Sequence, residues 1–188
     1  MNVYDFDNTI YKGESVIDFY LFLLKKDFSL IRLMPKVISV LIRYKRCLIS
    51  GDELLEIAET YAMEVLEAIP DIDAYVKEFW DKNQHKIKDF YKKQQREDDV
   101  ILSASCEFLL KDICGRLGIK NVLATEIDME KVKIKRICFS STKPEIFKEE
   151  FAGCEIENFY TDSMNDEPMF EYAKNVYMVK HDKITKVK

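Results

Sequence analysis

Apolar positions along this chain follow two rhythms, and the rhythm changes near residue 90. Val16, Ile17, Phe19, Tyr20, Leu23 and Leu24 recur at helical spacing, and Ser15 stands where a helix cap belongs. A second helical run is predicted over about Phe28 to Leu48, with Pro35 as a start or kink. Ser50-Gly51-Asp52-Glu53 has the form of a capping box. Leu54, Leu55, Ile57, Ala58, Tyr61, Ala62, Val65 and Leu66 then keep the helical period until Pro70. Asp71 opens a further helix carrying Tyr75, Val76, Phe79, Trp80, Ile87 and Phe90, whose aromatics read as core. The stretch from about 15 to 90 is therefore predicted all-helical.

Short apolar runs take over on either side of it. Val3-Tyr4 suits a buried strand, and Asn8 suits the turn after it. Val100-Ile101-Leu102, Asn121 to Thr125, Glu157 to Thr161 and Val176 to Val179 read as further strands. Val132, Ile134, Ile137 and Phe139 alternate as in a hairpin at a sheet edge. Helices are predicted between them: Cys106 to Leu117 with Gly118 as its stop, Thr142 to Phe151 with Pro144 in the first turn, and Glu167 to Lys174. The residues after Val179 read as a Lys-rich tail. Strands alternating with helices predict an α/β fold, a Rossmann-like and mostly parallel sheet with helices on both faces. In such a sheet the ligand site lies at the carboxyl ends of the strands, where the polar clusters of this chain also fall.

Composition narrows the class. The chain has 188 residues, 47% apolar and 34% charged, which describes a globular protein with a sizeable core. A net charge of −5 gives no overall nucleic-acid footprint. No stretch reaches the roughly 18 uncharged apolar residues of a spanning helix. The first residues enter a strand directly, without the form of a secretory signal, and the five cysteines (Cys47, Cys106, Cys114, Cys138, Cys154) form no CxxC pair. Reduced thiols and a cytoplasmic setting are the expectation. Lys25, Lys26, Arg32, Lys36, Arg43, Lys45 and Arg46 face only Asp27 in their region. They suit a solvated helix face, or attraction of an anionic or lipid-linked phosphate.

Two acidic clusters carry the candidate chemistry. Asp5-Phe6-Asp7-Asn8-Thr9 closes the first strand, and Asp162-Ser163-Met164-Asn165-Asp166 follows a strand near the other end. Two such strand ends suggest one assembled site, with a carboxylate serving as nucleophile and hard-metal ligand and a neighbour handling the proton. With Ser103 and Lys143 between them, the order of these clusters resembles the haloacid dehalogenase superfamily of phosphohydrolases, whose first signature is DxDxT. The helical insertion resembles the cap of the branch that includes the phosphoserine phosphatases. On that resemblance, residues 1–14 and 91–188 form the Rossmann-like core and 15–90 a helical cap.

The resemblance also implies roles. Asp5 is the nucleophile, forming an aspartyl-phosphate, and Asp7 protonates the leaving oxygen and then activates water. Mg²⁺ is held by Asp5, Asp162, the backbone carbonyl of Asp7, and Asp166 through water, or else Asp166 positions Lys143. Ser103, Lys143, Asn8 and Thr9 surround the phosphate, with Ser103 beside free helix N–H groups. Glu14, nine residues after Asp5, matches a glutamate that meets the substrate amine in phosphoserine phosphatases. Lys148 is the rival to Lys143. Ala104-Ser105 stands where those enzymes carry Gly-Gly, a departure that bears on the substrate and leaves the core chemistry untouched. The implied activity is Mg²⁺-dependent hydrolysis of a small phosphorylated metabolite. Phosphotransfer on the same scaffold and a non-catalytic phosphate-binding module stay open at this point.

Overall fold

The computed structural model describes residues 1–33, 71–131 and 133–188, with isolated positions at 35, 39, 57, 60, 64, 65 and 69. Seven strands form one sheet: β1 (Asn2–Tyr4), β2 (Val100–Cys106), β3 (Asn121–Asp128), β4 (Lys133–Arg136), β5 (Ile156–Thr161), β6 (Ala173–Lys180) and β7 (Lys183–Lys186). Their order is β4-β3-β2-β1-β5-β6-β7, so the first strand made lies at the centre. Val3 of β1 pairs in parallel with Val100 of β2 on one side and Phe159 of β5 on the other. Only the two edge pairs, β3 with β4 and β6 with β7, are antiparallel. The chain leaves β1 toward both sides of the sheet, and that reversal opens a crevice at its carboxyl end.

Strand alternation divides the core. Tyr4, Ile101 and Tyr160 belong to one buried cluster, and their neighbours Val3, Val100, Leu102 and Phe159 belong to another. Successive side chains of a strand point to opposite faces, which is why one strand serves both. On the Tyr4 side lie α1 (Ser15–Lys26), α2 (Ile72–Asn83) and α4 (Glu107–Arg116), which contribute Phe19, Phe79, Trp80 and Leu109. On the Val3 side lies α5 (Thr142–Glu150), whose Ile146 and Phe147 are buried. Trp80 is fully buried, and its Nε1 donates to the Leu109 carbonyl at 2.7 Å, tying α2 to α4. The described helices at 15–33 and 72–83 thus share the core of the sheet's Tyr4 face.

The structure differs from the sequence expectations in four places. The helix expected from Asp71 to Phe90 stops at Asn83; a 3-10 turn (Gln84–Lys86), a bridge from Ile87 to Tyr11 and a short α3 (Asp89–Gln94) replace its end. Glu167 to Lys174 is not an α-helix: Pro168 sits in a 3-10 segment, Met164–Tyr172, and β6 begins at Ala173. The Lys-rich tail is a strand, β7, at the sheet edge. Its Lys-Ile-Thr-Lys sequence offers one apolar side chain, so its period is invisible without its partner. The run expected from Phe28 begins as a 3-10 turn, Phe28–Leu33, with Pro35 and Ser39 helical. Lys36, Arg43, Lys45, Arg46 and Cys47 lie outside the described residues. Among the described residues, no helix is long and apolar enough to cross a membrane.

Candidate active site

The site begins where β1 gives out. Asp5 still follows the strand direction, its N–H donating to the Tyr160 carbonyl of β5 at 2.9 Å. Then Phe6 accepts from both Ile10 and Tyr11, closing a tight turn in which Asn8 has φ 55°. Asn is one of the few residues that takes this left-handed conformation cheaply. The turn folds Thr9 back over the strand end, and its hydroxyl donates to Asp5 Oδ2 at 3.2 Å. It also brings Asn8 Nδ2 to Glu14 Oε1 at 2.6 Å.

Lys143, at the start of α5, is 2% exposed and has two carboxylate partners. Its Nζ lies 3.1 Å from Asp5 Oδ1 and 2.6 Å from Asp166 Oδ1. Asp166 is itself fixed by the Thr161 hydroxyl, which donates to Oδ2 at 2.7 Å from the end of β5. One buried cation therefore joins the first and last acidic clusters, 138 positions apart for Asp5. Lys148 plays no part, because its amine is exposed and donates to the Tyr172 hydroxyl at 2.8 Å.

Asp7 is anchored from the other side. Its Oδ1 accepts from the Ser15 backbone N–H at 2.6 Å, and its Oδ2 from the Ser105 hydroxyl at 2.5 Å. Ser103 and Ser105 are both buried with Ala104 exposed between them, and the Ser105 N–H donates to Ser103 Oγ at 3.1 Å. The register explains how. Between Leu102 and Cys106, β2 advances four residues (102 to 106) while β3 advances two (123 to 125). Such a bulge re-aims side chains at a strand end, and the Thr125 hydroxyl clasps it by donating to the Ala104 carbonyl at 2.8 Å. β2 continues to Cys106, so α4 starts four residues beyond Ser103. The helix expected from about Cys106 thus begins at Glu107, after the bulge that carries Ser103 and Ser105.

The electrostatics are those of crowded carboxylates. Burial foremost pushes the Asp5 carboxyl up to about 7; Lys143 opposes this, and Asp166, Asp7 and Asp162 add to it. Burial likewise raises Asp7, against the hydrogen bonds from Ser105 and Ser15. Asp162 is half-buried, and burial followed by the charge of Asp166 raises it. Burial works against the charge on Lys143, but Asp5 and Asp166 more than reverse it and hold the amine protonated. Partial enclosure of the Glu14 carboxyl, then Asp7 and Asp162, raises its pKa, although the residue is exposed overall. Glu14 is therefore at the rim of the same cluster. Burial and Asp7 push the Cys106 thiol up to about 12, so it is no nucleophile at neutral pH.

Among the described residues Asp5, Asp7, Asp162 and Asp166 outnumber the one cation paired with them directly, Lys143, and the atoms they offer a metal are all oxygen. That set fits a hard divalent cation in charge and ligand type. Among the described residues no three acidic, His or Cys groups stand preassembled as a cage. Mg²⁺ keeps several waters and needs only one or two protein carboxylates, so the absence of a cage is compatible with it.

Of the residues the sequence singled out, Asp5 meets Thr9 and Lys143, Lys143 meets Asp166, and Asn8 meets Glu14. The charge of Asp162 acts on Asp5 and that of Asp7 on Asp162, while Ser103 accepts from the Ser105 N–H. Sequence reasoning did not single out Ser15 as a partner of Asp7, Ser105 as its donor, or Thr161 as the support of Asp166. Nor did it single out Lys88, which is buried and whose Nζ donates to the Asn8 carbonyl at 2.5 Å and to the His181 carbonyl at 2.7 Å. Hydroxyls and a lone lysine carry no periodic signal; only the Ser105 replacement of a glycine marked one of them.

Comparison with known proteins places this geometry. The fold is similar to that of a Bordetella pertussis protein of unknown function, with TM-score 0.77 and 18% identity, covering 94% of this chain and 87% of that one. It is also similar to a phosphoserine phosphohydrolase-like protein from Francisella tularensis (TM-score 0.55, 19% identity, 94% and 86% covered). A probable phosphoserine phosphatase from Vibrio cholerae is similar too (TM-score 0.54, 11% identity, 93% and 55% covered). At these identities the likeness is one of fold. No curated protein matches the sequence. The family model of haloacid dehalogenase-like hydrolases matches residues 3–171, and the chain belongs to that family of hydrolases.

Proposed function

We propose that this hydrolase is a Mg²⁺-dependent phosphatase acting on a small phosphomonoester. The observation that carries the reading is the buried Lys143 amine shared by Asp5 and Asp166, with Asp7 held beside them at the end of the central strand. Two structural neighbours bearing phosphoserine phosphatase-type names support the same substrate class.

A phosphomonoester dianion meets an attacking carboxylate only if its charge is neutralised. Lys143 supplies one positive charge next to Asp5 Oδ1, and Ser103 and Thr9 supply hydroxyls at the same strand ends. Asp5, Asp162 and the Asp7 carbonyl, with Asp166 behind them, would hold Mg²⁺, which would supply further neutralisation of the phosphoryl charge. Asp5 attacks phosphorus, the bond to the substrate oxygen breaks, and Asp7 delivers a proton to that oxygen. Water then attacks the aspartyl-phosphate, Asp7 takes the water's proton, and the bond to Asp5 breaks to release inorganic phosphate. Residues 15–90 act as a cap over a core of 1–14 and 91–188, limiting water to the hydrolytic step. Glu14 at the rim contacts the substrate beyond its phosphate. The unpaired thiols Cys106, Cys114, Cys138 and Cys154 fit a cytoplasmic setting.

The test is turnover of 4-nitrophenyl phosphate and a panel of phosphorylated metabolites, with and without Mg²⁺. Mg²⁺-dependent release of phosphate is expected, and Asp5→Asn should abolish it while leaving the fold intact. No turnover on any phosphomonoester, or full activity in Asp5→Asn, overturns the reading.

A further inference from the structure

Among the described residues, Asp7 is the one acidic side chain of the site with a hydrogen-bond donor on each carboxylate oxygen and no cation as partner. The Ser105 hydroxyl spends its proton on Asp7 Oδ2, so the contact of 3.0 Å between the two serine hydroxyls has Ser15 Oγ donating to Ser105 Oγ. The Ser15 N–H, at the first residue of α1, holds Oδ1. Most side-chain hydrogen bonds in proteins go to backbone groups or water rather than to other side chains. Here two buried serines, 90 positions apart, converge on one carboxylate instead.

We infer that Ser105 and Ser15 are positioning residues for Asp7, fixing which lone pair of that carboxylate faces the leaving oxygen. The inference rests on the phosphatase reading and deepens it. With Oδ2 occupied by Ser105 and Oδ1 by the Ser15 amide, the carboxyl cannot rotate about its Cβ–Cγ bond without breaking both contacts. Its proton has one direction left to occupy, away from the two donors. Because one donor opens α1, the orientation of the acid is set jointly by the β2 bulge and by the first turn of the inserted helices.

Leaving groups separate this role from simple packing. A 4-nitrophenolate departs without a proton, whereas an alkoxide needs one as its bond to phosphorus breaks. The quantity to read is kcat/KM, which reports transfer to Asp5 and excludes the hydrolytic step common to all substrates. In the full chain with Mg²⁺, Ser105→Ala should lower kcat/KM for an alkyl phosphate such as glycerol phosphate by about 10- to 100-fold. For 4-nitrophenyl phosphate the change should stay within about threefold. Ser105→Gly, which also lacks the hydroxyl but makes no new contact, should show the same split, and Ser15→Ala a smaller one because the amide remains. Equal losses for both substrates, or no loss for either, overturn the inference. The alkyl phosphate is the panel member the unaltered protein turns over best; if it turns over no phosphomonoester of the panel, the phosphatase reading itself fails, a result distinct from either of these.

Discussion

A buried charge is tolerated only where its partners are fixed, and this chain shows both a solved and an unsolved case. Lys143 is solved: two carboxylates, one of them braced by Thr161, surround it. Removing such a cation leaves buried carboxylates without a partner, which is why its position is so constrained. Asp99 is the unsolved case. It is 1% exposed, its Oδ2 accepts from the Arg96 N–H at 2.8 Å, and its Oδ1 has no partner among the described residues. The Tyr91 hydroxyl, whose pKa the charge of Asp99 raises after burial, is also unpartnered. Burial pushes the Asp99 carboxyl up to about 6. In the unfolded chain an aspartate titrates near about 3.9. Folding therefore favours the protonated form, and the stability Asp99 contributes is present below pH about 4 and lost as pH rises to about 6. Asp99→Asn should lack this loss and be more stable than the parent by about 1–3 kcal/mol at pH 7, with little difference at pH 4. Urea denaturation across that range measures it; a constant difference at every pH would rule out titration of Asp99 as the cause.

Elements were legible in proportion to how regularly they bury one face. β1, β2, β3, β5 and the core of β6 announced themselves as short apolar runs because parallel central strands are covered on both sides. The edge hairpin of β3 and β4 was visible in the alternation about Ile134, whereas β7 was hidden in lysines. Helix ends were less legible: the break at Gln84–Lys86 is set by Ile87 reaching across to Tyr11, a contact no local pattern encodes. Asp5, Asp7 and Asp166 could be found because the acidic clusters follow strands. Ser105 and Ser15 could not be paired, because their meeting depends on a two-residue slip in β2 and on the turn at Asn8. The link between α2 and α4 gives a test at this scale. Trp80 is the sole tryptophan, packed edge-on against Phe6, Tyr11 and Phe79. Trp80→Phe keeps an aromatic ring but removes the N–H that reaches Leu109 and part of the filled volume. A loss of about 1–3 kcal/mol is expected. Circular dichroism during denaturation reads it, since the variant has no indole to report; an unchanged midpoint would mean the two helices do not depend on that contact.

For the molecule as a whole, a site crowded with carboxylates opposes folding until something neutralises it. A cation that binds only the folded chain raises stability by RT ln(1 + [L]/Kd), about 2.7 kcal/mol at a hundredfold excess over Kd. Millimolar Mg²⁺ should therefore raise the melting temperature, and Asp162→Asn should remove most of that rise while leaving the metal-free midpoint unchanged or higher. No rise with the unaltered protein would count against a divalent ion at this centre. The measurement needs no substrate, so it tests the metal apart from the reaction.

The strand at the middle of the sheet has a further consequence for biogenesis. Residues 2–4 are made before either of their flanks: one waits for residue 100 and the other for residue 158 and its neighbours. While the intervening chain is made, a hydrophobic segment has both edges bare, and Lys143, the later partner of Asp5, is not yet synthesised. Distant closures of this kind make refolding slow and leave sticky intermediates for chaperones to shield. Assembly of the site is thus timed by Lys143, Thr161 and Asp166, although Asp5 and Asp7 are made long before them.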